Sequence, residues 1–552
     1  EQMNLPQTKR RNRADDIREN PEAMEAIKKK TIKLFGPPGT GKTHTLLNII
    51  EKGISIKHMV PDYIAFCSYT RKAAREGMER VLKKFKGRYK EDSFTLFKTI
   101  HSLCLSRTRD SAIEIIDENK HINAFSYLER GETVKLESTK DEDGKLVIKN
   151  YPIQLYEKAR NCKMDLKQAY DEDTSDKKTR NWGNLVDIVN NWIKFKEGFF
   201  MDYTDMIEDF LLADYSFETD YFIVDEAQDL TPLQWDFVYL MASKAKKVYI
   251  AGDDDQAIHE WNGASVNEFL NFPGRPLVLK SSRRLPTAVL NFAKNIIRNV
   301  KTRKEKDFIS TGVEGYVNTN NFQLKHVGFE NHPNDTWMIL TRTKNELFEV
   351  RDVAKELGLH FKNATNLGSV NPTHWKCIEI WNKLMNDGYI SKEEVTFIYK
   401  YINNIEHGWR TSTSKKWKSI KETYFNYQLL NEQCGLTQNK GPWTTAMDIK
   451  VADKNYIEKL IEKGITSESK PLIIIDKIHQ VKGGEADHVV IYEACPKICT
   501  LKDKVQKDRD AELRVWYVGV TRAKKGLNII KFNKPYGHYM PLAALGYGNY
   551  RI

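Results

Sequence analysis

No stretch of the sequence approaches the roughly 18 consecutive apolar residues of a membrane-spanning helix, so no membrane partner is expected. The basic residues near the start, Lys9, Arg10, Arg11 and Arg13, have no apolar segment behind them, and the pattern of a secretory signal is missing. Cysteine is sparse: seven residues scattered along the chain, an odd number, which argues against a disulfide framework and for a reducing compartment. Cys495 and Cys499 form the one close pair, and no second pair completes a zinc site; Cys67 and Cys104 read as core filler. Neither an internal repeat of fixed period nor a low-complexity tract is found, which excludes solenoids and linker-like chains. The expected setting is the cytoplasm, bacterial or that of a host cell if the chain is phage-encoded.

What is present is a chain of 552 residues, 40% hydrophobic and 29% charged. That length is too great for one core and predicts about three or four domains. The net charge of +12 suits a polyanionic partner, but it is spread over a long chain, and solubility alone explains it equally well.

The most informative stretch is Gly36-Pro37-Pro38-Gly39-Thr40-Gly41-Lys42-Thr43, which fits the phosphate-binding pattern G-x-x-x-x-G-K-[ST]. It follows a short apolar strand, Thr31 to Phe35, and precedes a helix from His44 to Glu51. Glycines let backbone N–H groups curl around a phosphate, and the next helix turns its positive end to the same anion. In such a loop Lys42 reaches the β/γ phosphates and the Thr43 hydroxyl ligates Mg²⁺, which implies ATP and Mg²⁺ as cofactors.

In chain order, residues 1–20 read as a polar, basic arm, and Pro21 to Lys30 as a helix. Asp62 to Cys67 reads as a second strand, Ala73 to Phe85 as a helix and Phe94 to Ile100 as a third strand. This βαβ succession marks a parallel sheet with ligands at the strand ends. Asp220 to Asp225 and Lys247 to Ala251 resume it after a mainly helical stretch. Leu277 to Leu279 is expected to open a second α/β unit, with a helix at Leu285–Asn299 and strands at Thr336–Leu340, Pro471–Ile475, His488–Tyr492 and Leu527–Ile530. Val515 to Lys525 reads as the last helix. The tryptophans Trp375, Trp381, Trp409, Trp417 and Trp443 mark a second helical insertion.

Asp225-Glu226-Ala227-Gln228-Asp229 directly follows an apolar strand. Coupled to a phosphate loop, Asp225 is placed to hold Mg²⁺ and Glu226 to take a proton from the attacking water. Gln256, in Gly252-Asp253-Asp254-Asp255-Gln256, can contact both the γ-phosphate and that water. Trp261 reads by itself as a core ring, although an exposed one would stack on a base.

Read together, GPPGTGKT, AFCSYTRKAARE, TIHSLC, IVDEAQD, GDDDQAIHEWNGA, LKSSRRLP, ILTRTKNE, IHQVKGGEADHVVI and WYVGVTRAKKGL resemble superfamily 1 DNA helicases of the UvrD/PcrA/Rep type, in family order from Gly36 to Leu527. The resemblance implies an α/β fold with two RecA-like P-loop NTPase motor domains, parallel sheets flanked by helices, each with a mainly helical insertion. The boundaries read as 1–102 and 210–275 for the first motor, 103–209 for its insertion, 276–365 and 469–552 for the second motor and 366–468 for its insertion. It implies that Lys42, Glu226, Gln256, Arg284 and Arg522 serve ATP hydrolysis, the two arginines reaching the γ-phosphate from the second motor. Glu485 matches the residue that contacts the ribose. Tyr69, Thr70, Arg71, His101, Trp261, Arg342 and His479 match positions facing single-stranded DNA.

The chain departs from the pattern at Ser282-Arg283-Arg284-Leu285, where Arg283 replaces the tyrosine that stacks on adenine, and at His44, where an arginine is usual. Gln7 is the candidate for the missing glutamine motif, and other nucleoside triphosphates than ATP stay open. His259 stands where an aromatic is common. Tyr536 in Pro535-Tyr536-Gly537-His538 matches a duplex-separating pin, or else an ordinary glycine turn. A second insertion of roughly 100 residues and the early end of the chain suggest a compact motor without partner-binding tail or nuclease. The implied activity is ATP-dependent unwinding with 3′→5′ movement on single-stranded DNA and its junctions with duplex. The motor is expected to be monomer-competent and to meet replication or repair proteins. A 5′→3′ or RNA-directed motor, or a nucleotide-gated DNA-binding remodelling protein, remains the alternative.

Overall fold

Along each central strand of the first half, apolar side chains alternate between two faces, and each face has its own core. Leu34, Ile64, Phe66, Tyr221, Ile223, Tyr249 and Ala251 pack with Leu46, Leu47 and Ile50 of the helix Lys42–Lys57. Phe35, Ala65, Cys67, Phe222, Val224, Val248 and Ile250 pack on the other side, with Phe210 and with Trp235, Phe237 and Val238 of the helix Pro232–Lys244. A strand buried on both faces has to read as a continuous apolar run, which is why these segments stand out in the sequence.

The computed structural model describes residues 5–68, 71–110, 112–116, 120–121, 124–125, 137–140, 146–173, 181–411, 413–502, 504–531 and 537–550. Contacts divide the chain into two compact units, Glu1–Asn318 with Lys497–Leu527 and Met540–Ile552, and Thr319–Pro496 with Asn528–Tyr539.

The first unit is built on a six-stranded parallel sheet in the order Arg275–Val278, Thr31–Phe35, Lys247–Gly252, Tyr221–Asp225, Ile64–Ser68, Phe97–Lys98. The strand order reverses beside Thr31–Phe35, the place where parallel α/β sheets bind ligands beyond their strand ends. Two sequence expectations are corrected here. Leu277 and Val278 do not open a second unit; they pair with Leu34 and Phe35 at the edge of this sheet. The third strand is only Phe97–Lys98, because Thr99 caps a helix at Ile100–Thr108, its hydroxyl accepting from the Ser102 N–H. The basic arm carries a short helix that packs on this unit. Asn12 and Asp15 form a capping box for the helix Arg13–Glu19, Ala14 and Ile17 are buried, and Arg18 pairs with Glu268 at 2.9 Å. The helical stretch that interrupts this sheet includes Tyr151–Asn161, Trp182–Lys196 and Tyr203–Leu212.

The second unit carries a sheet in which Phe361–Lys362, Ile473–Lys477, Trp337–Thr341 and Ala486–Tyr492 run parallel as neighbours. The ends of Ala523–Ile530 and Tyr316–Asn321 complete it. One apolar core continues from Trp337, Ile339, Ile473 and Ile475 into the helical insertion, where Trp381, Trp409, Trp417 and Trp443 are buried. Trp409 and Trp417 meet edge-to-face at 4.8 Å, and the Trp417 indole N–H donates to the Trp409 carbonyl at 2.7 Å. The last long helix is Gln506–Val520, earlier than the expected Val515–Lys525, because Ala523 already begins a strand. Among the described residues no helix is long and apolar enough to cross a membrane.

Candidate nucleotide site

The phosphate loop starts where the strand Thr31–Phe35 ends. The Gly36 N–H donates to the Gly252 carbonyl at 3.0 Å, tying the loop to the neighbouring strand end, and Thr40 closes a turn by donating its hydroxyl to the Pro37 carbonyl at 2.7 Å. Gly36 is dictated by space: a Cβ there would lie 1.8 Å from Lys42 Cγ. Gly39 is dictated twice, by its φ of +74° and by Arg284 Cβ, which a Cβ would meet at 2.4 Å. Ser282 locks this approach, its hydroxyl donating to the Pro38 carbonyl at 2.8 Å, while the Arg283 N–H donates to the Gly39 carbonyl at 2.8 Å.

Lys42 and Thr43 open the next helix, and each faces an acid on the strand Tyr221–Asp225 or just beyond it. The Thr43 hydroxyl donates to Asp225 Oδ2 at 2.7 Å, and the Lys42 ammonium lies 3.6 Å from Glu226 Oε1. Burial opposes the Lys42 charge, but Glu226, Asp253 and Asp225 together outweigh it and hold the ammonium above its ordinary range. Burial, and then the neighbouring Glu226 charge, push the Asp225 carboxyl up to about 6. Glu226 sits in the left-handed region, φ 53° and ψ 40°. A non-glycine residue there costs on the order of 1 kcal/mol. In this turn the Glu226 N–H donates to Asp225 Oδ1 at 2.9 Å, which ties the two acids together.

From Glu226 a line of hydrogen bonds crosses two strand ends. Gln228 Nε2 donates to Glu226 Oε2 at 2.5 Å, and Gln228 Oε1 accepts from the Asp253 N–H at 3.0 Å. Asp253 Oδ2 accepts from Gln256 Nε2 at 2.6 Å, and Gln256 Oε1 accepts from Arg522 Nη2 at 2.9 Å. Arg522 is fully buried, its Nε donating to the Val518 carbonyl at 2.8 Å. Below this line Lys306 is enclosed among Asp253, Asp254 and Asp255 at 3.3, 2.5 and 2.9 Å, and Arg303 grips Asp255 through two bonds of 2.8 and 2.7 Å.

The structure therefore brings Lys42, Thr43, Asp225, Glu226, Gln256, Arg284 and Arg522 into one compact unit. The segment carrying Arg284 leaves the edge strand of the first sheet and leads into the helix Thr287–Ile297; the helix Gln506–Val520, which ends just before Arg522, is tied to the chain beyond it, the Asp510 carboxylate accepting from the Lys301 and Thr302 N–H groups. Arg283 and His44 are exposed at the rim of the loop. Sequence reasoning missed Gln228, Asp253, Ser282, Lys306 and Arg303. The first three lie inside quoted motifs, but nothing local assigned them a task.

Of the expected strand-facing residues, Trp261 is 67% exposed and so is no core ring. Gly263, at φ +92°, ends its turn. His101 lies on the helix Ile100–Thr108 with its ring edge-on to Tyr203 at 5.6 Å. Arg71 opens the helix Arg71–Lys84. Tyr69, Thr70 and Tyr536 lie outside the described residues. In the second unit, Arg342 and His479 follow the ends of two adjacent parallel strands, whereas Glu485 is exposed and precedes the strand Ala486–Tyr492.

The oxygen pair Thr43–Asp225 fits a hard divalent cation such as Mg²⁺. With a glycine-rich loop, a buried lysine and a positioned glutamate, the site is equipped for phosphoryl transfer from a nucleoside triphosphate to water.

Two family models match the chain: the UvrD/REP helicase N-terminal domain over residues 18–276 and the UvrD-like helicase C-terminal domain over residues 306–534. The ATP-dependent DNA helicase PcrA of Staphylococcus aureus (strain NCTC 8325 / PS 47) is 27% identical over 315 residues, 54% of this chain and 42% of that protein. PcrA of Bacillus subtilis (strain 168) is 26% identical over 323 residues, 54% of this chain and 41% of that protein. The probable DNA helicase II homolog of Mycoplasma pneumoniae is 21% identical over 600 residues, 90% of this chain and 81% of that protein. The matched stretch thus spans about two fifths of the length of the two PcrA relatives.

Proposed function

Because the chain belongs to the UvrD-like helicase family, we propose that it is an ATP-driven DNA helicase that moves 3′→5′ on single-stranded DNA and separates the duplex ahead. The observation that carries this reading is the unbroken line Glu226–Gln228–Asp253–Gln256–Arg522. It joins a water-activating carboxylate to a glutamine and an arginine suited to sense the γ-phosphate. A protein that merely clamps nucleotide needs no such carboxylate.

In this mechanism backbone N–H groups of Gly39 to Thr43 cradle the phosphates, and Lys42 balances their β/γ charge. Thr43 and Asp225 would hold Mg²⁺, which neutralises charge developing on the transferred phosphoryl group. Gln228 fixes Glu226 Oε2, and Oε1, which the Lys42 ammonium faces at 3.6 Å, accepts the proton of the attacking water once Lys42 turns to the phosphates. Gln256 orients that water, and Arg522 and Arg284 stabilise the transition-state charge. Glu485 is the proposed ribose contact. The exposed Trp261 ring offers a stacking platform for a base, and Arg71, His101, Arg342 and His479 offer donors to the strand; the same reading assigns Tyr69 and Thr70, which lie outside the described residues, to strand binding. The division into two motors with two insertions, a monomeric working state and encounters with replication or repair proteins belong to the same reading.

The test is strand displacement with ATP and Mg²⁺ on duplexes bearing a 3′ or a 5′ single-stranded tail, with phosphate release followed in parallel. Unwinding from the 3′ tail alone is expected. Unwinding only from the 5′ tail would refute the polarity, and absence of DNA-stimulated hydrolysis would refute the motor.

A further inference from the structure

At the other end of the second unit's sheet from Arg342, two imidazoles and a carboxylate converge. His332-Pro333-Asn334-Asp335 forms a turn closed by the Asp335 N–H donating to the His332 carbonyl at 3.2 Å. The turn leads directly into the strand Trp337–Thr341. His488 lies on the neighbouring strand, opposite Trp337 in register. The three side chains meet on one carboxylate oxygen: Asp335 Oδ2 is 2.9 Å from His488 Nε2 and 3.6 Å from His332 Nδ1. All three candidate ligand atoms lie within 4.8 Å of one another.

We propose that His332, Asp335 and His488 form a zinc site, unconnected with the nucleotide chemistry of the first unit. Zinc–nitrogen and zinc–oxygen bonds of about 2.0–2.2 Å in a tetrahedron place ligand atoms roughly 3.3–3.5 Å apart. The observed 2.9 and 3.6 Å bracket that spacing. The three ligand atoms already lie within 4.8 Å of one another, and an inward turn of the half-exposed His332 side chain would close them to the tetrahedral spacing.

The donor set selects the ion. Two imidazole nitrogens and one carboxylate oxygen suit zinc, whereas Mg²⁺ and Ca²⁺ prefer all-oxygen sites. Three protein ligands leave a fourth position for water or an outside group.

The surroundings are those of a held ligand. The Trp337 ring stacks on the His488 imidazole at 4.4 Å and 27°, fixing its plane. Beside it, Asp487 Oδ2 accepts from both the Thr336 N–H and hydroxyl, at 2.9 and 2.8 Å, pinning the two strands' starts together. A buried histidine satisfied by one carboxylate would account for His488 and Asp335. It would not account for a second imidazole, its centroid 4.4 Å from the first, turned to the same oxygen. Zinc here would staple the turn to the sheet and stabilise the folded chain by mass action.

The test uses the full chain, stripped with chelator and titrated calorimetrically with zinc chloride in excess Mg²⁺, with melting followed in parallel. One zinc per chain at micromolar or tighter affinity is expected, with a rise in melting temperature. His332→Ala and Asp335→Asn should each weaken binding at least tenfold and abolish that rise, while circular dichroism of the metal-free variants matches the parent. Either variant, if folded, suffices. Absence of saturable binding near one zinc per chain would overturn the proposal, as would tight binding that survives both substitutions.

Discussion

Two buried charge networks in the first unit use the same residue types and reach opposite balances. In the helical insertion, Arg160 grips Glu208 through bonds of 3.1 and 2.8 Å and reaches Asp202 at 3.1 Å and Asp205 at 2.5 Å. Lys196 adds bonds to Asp205, at 2.7 Å, and to Asp202. Burial would raise the Asp202 carboxyl, but the Arg160 and Lys196 charges outweigh it and hold it far below the usual carboxylate range. At the phosphate loop the distances are longer and the acids crowd one another. Lys42 is 3.6 Å from Glu226, and burial with the Glu226 charge lifts Asp225 to about 6. The first network satisfies its own charges and acts as a fastener. The second leaves a surplus of negative charge at Asp225 and Glu226 that a divalent cation would neutralise, which is the signature of a site rather than a scaffold.

The largest expected effect lies in chemistry. Glu226→Gln keeps the bond to Gln228 and the size of the side chain but removes the proton acceptor. Phosphate release should fall by about 10²- to 10⁴-fold, the usual worth of a positioned base, while binding of a fluorescent ATP analogue persists. Turnover equal to the parent would place the base elsewhere and dissolve the contrast between the two networks.

The matching cut in the insertion should act on stability alone. Arg160→Met leaves Asp202, Asp205 and Glu208 facing only Lys196. Removing one partner from a buried ion network costs about 3–5 kcal/mol, which urea denaturation would read. Phosphate release per folded molecule should stay within about twofold of the parent, because no bond of this network reaches the Glu226–Arg522 line. A loss of turnover without loss of stability would show that the fastener belongs to the site.

The difference between the networks also explains what could be read in advance. The phosphate loop, Asp225 and Glu226 announce themselves because the chemistry needs those residues at fixed short spacings, between apolar strands visible in the sequence. Lys306 does not: within Lys304-Glu305-Lys306-Asp307 it looks like solvated charge, yet it is enclosed by three aspartates some fifty positions upstream. Arg160 is hidden in the same way, since its partners lie on a helix some forty residues on. Leu277 shows the complementary error. A short apolar run carries no mark of which sheet it will join, and backbone pairing with Leu34 decides it. Trp261 carries no mark of burial either; the turn that lifts it into solvent depends on residues around it, not on the ring.

The smallest effect is the finest test of the balance, and it turns on pH. For Asp225 the folded carboxyl, at about 6, lies above its ordinary value of 3.8. Between those two values the folded chain binds a proton that the unfolded chain does not, so this group's contribution to stability grows as pH falls through 6 and is complete near 3.8. Above pH 6 the ionised carboxyl costs the fold on the order of 1–3 kcal/mol. In metal-free buffer Asp225→Asn should therefore be more stable than the parent at pH 8, with the advantage shrinking toward pH 4. Asp202 has the opposite sign. Its folded carboxyl lies below the unfolded value, so its contribution is present above the normal carboxylate range and is lost only as pH falls beneath it. Urea midpoints at pH 8, 6 and 4.5 would separate the two windows. Equal stability of Asp225→Asn and parent at pH 8 would mean that Lys42 already neutralises Asp225, and that the phosphate loop is as closed a network as the one around Arg160.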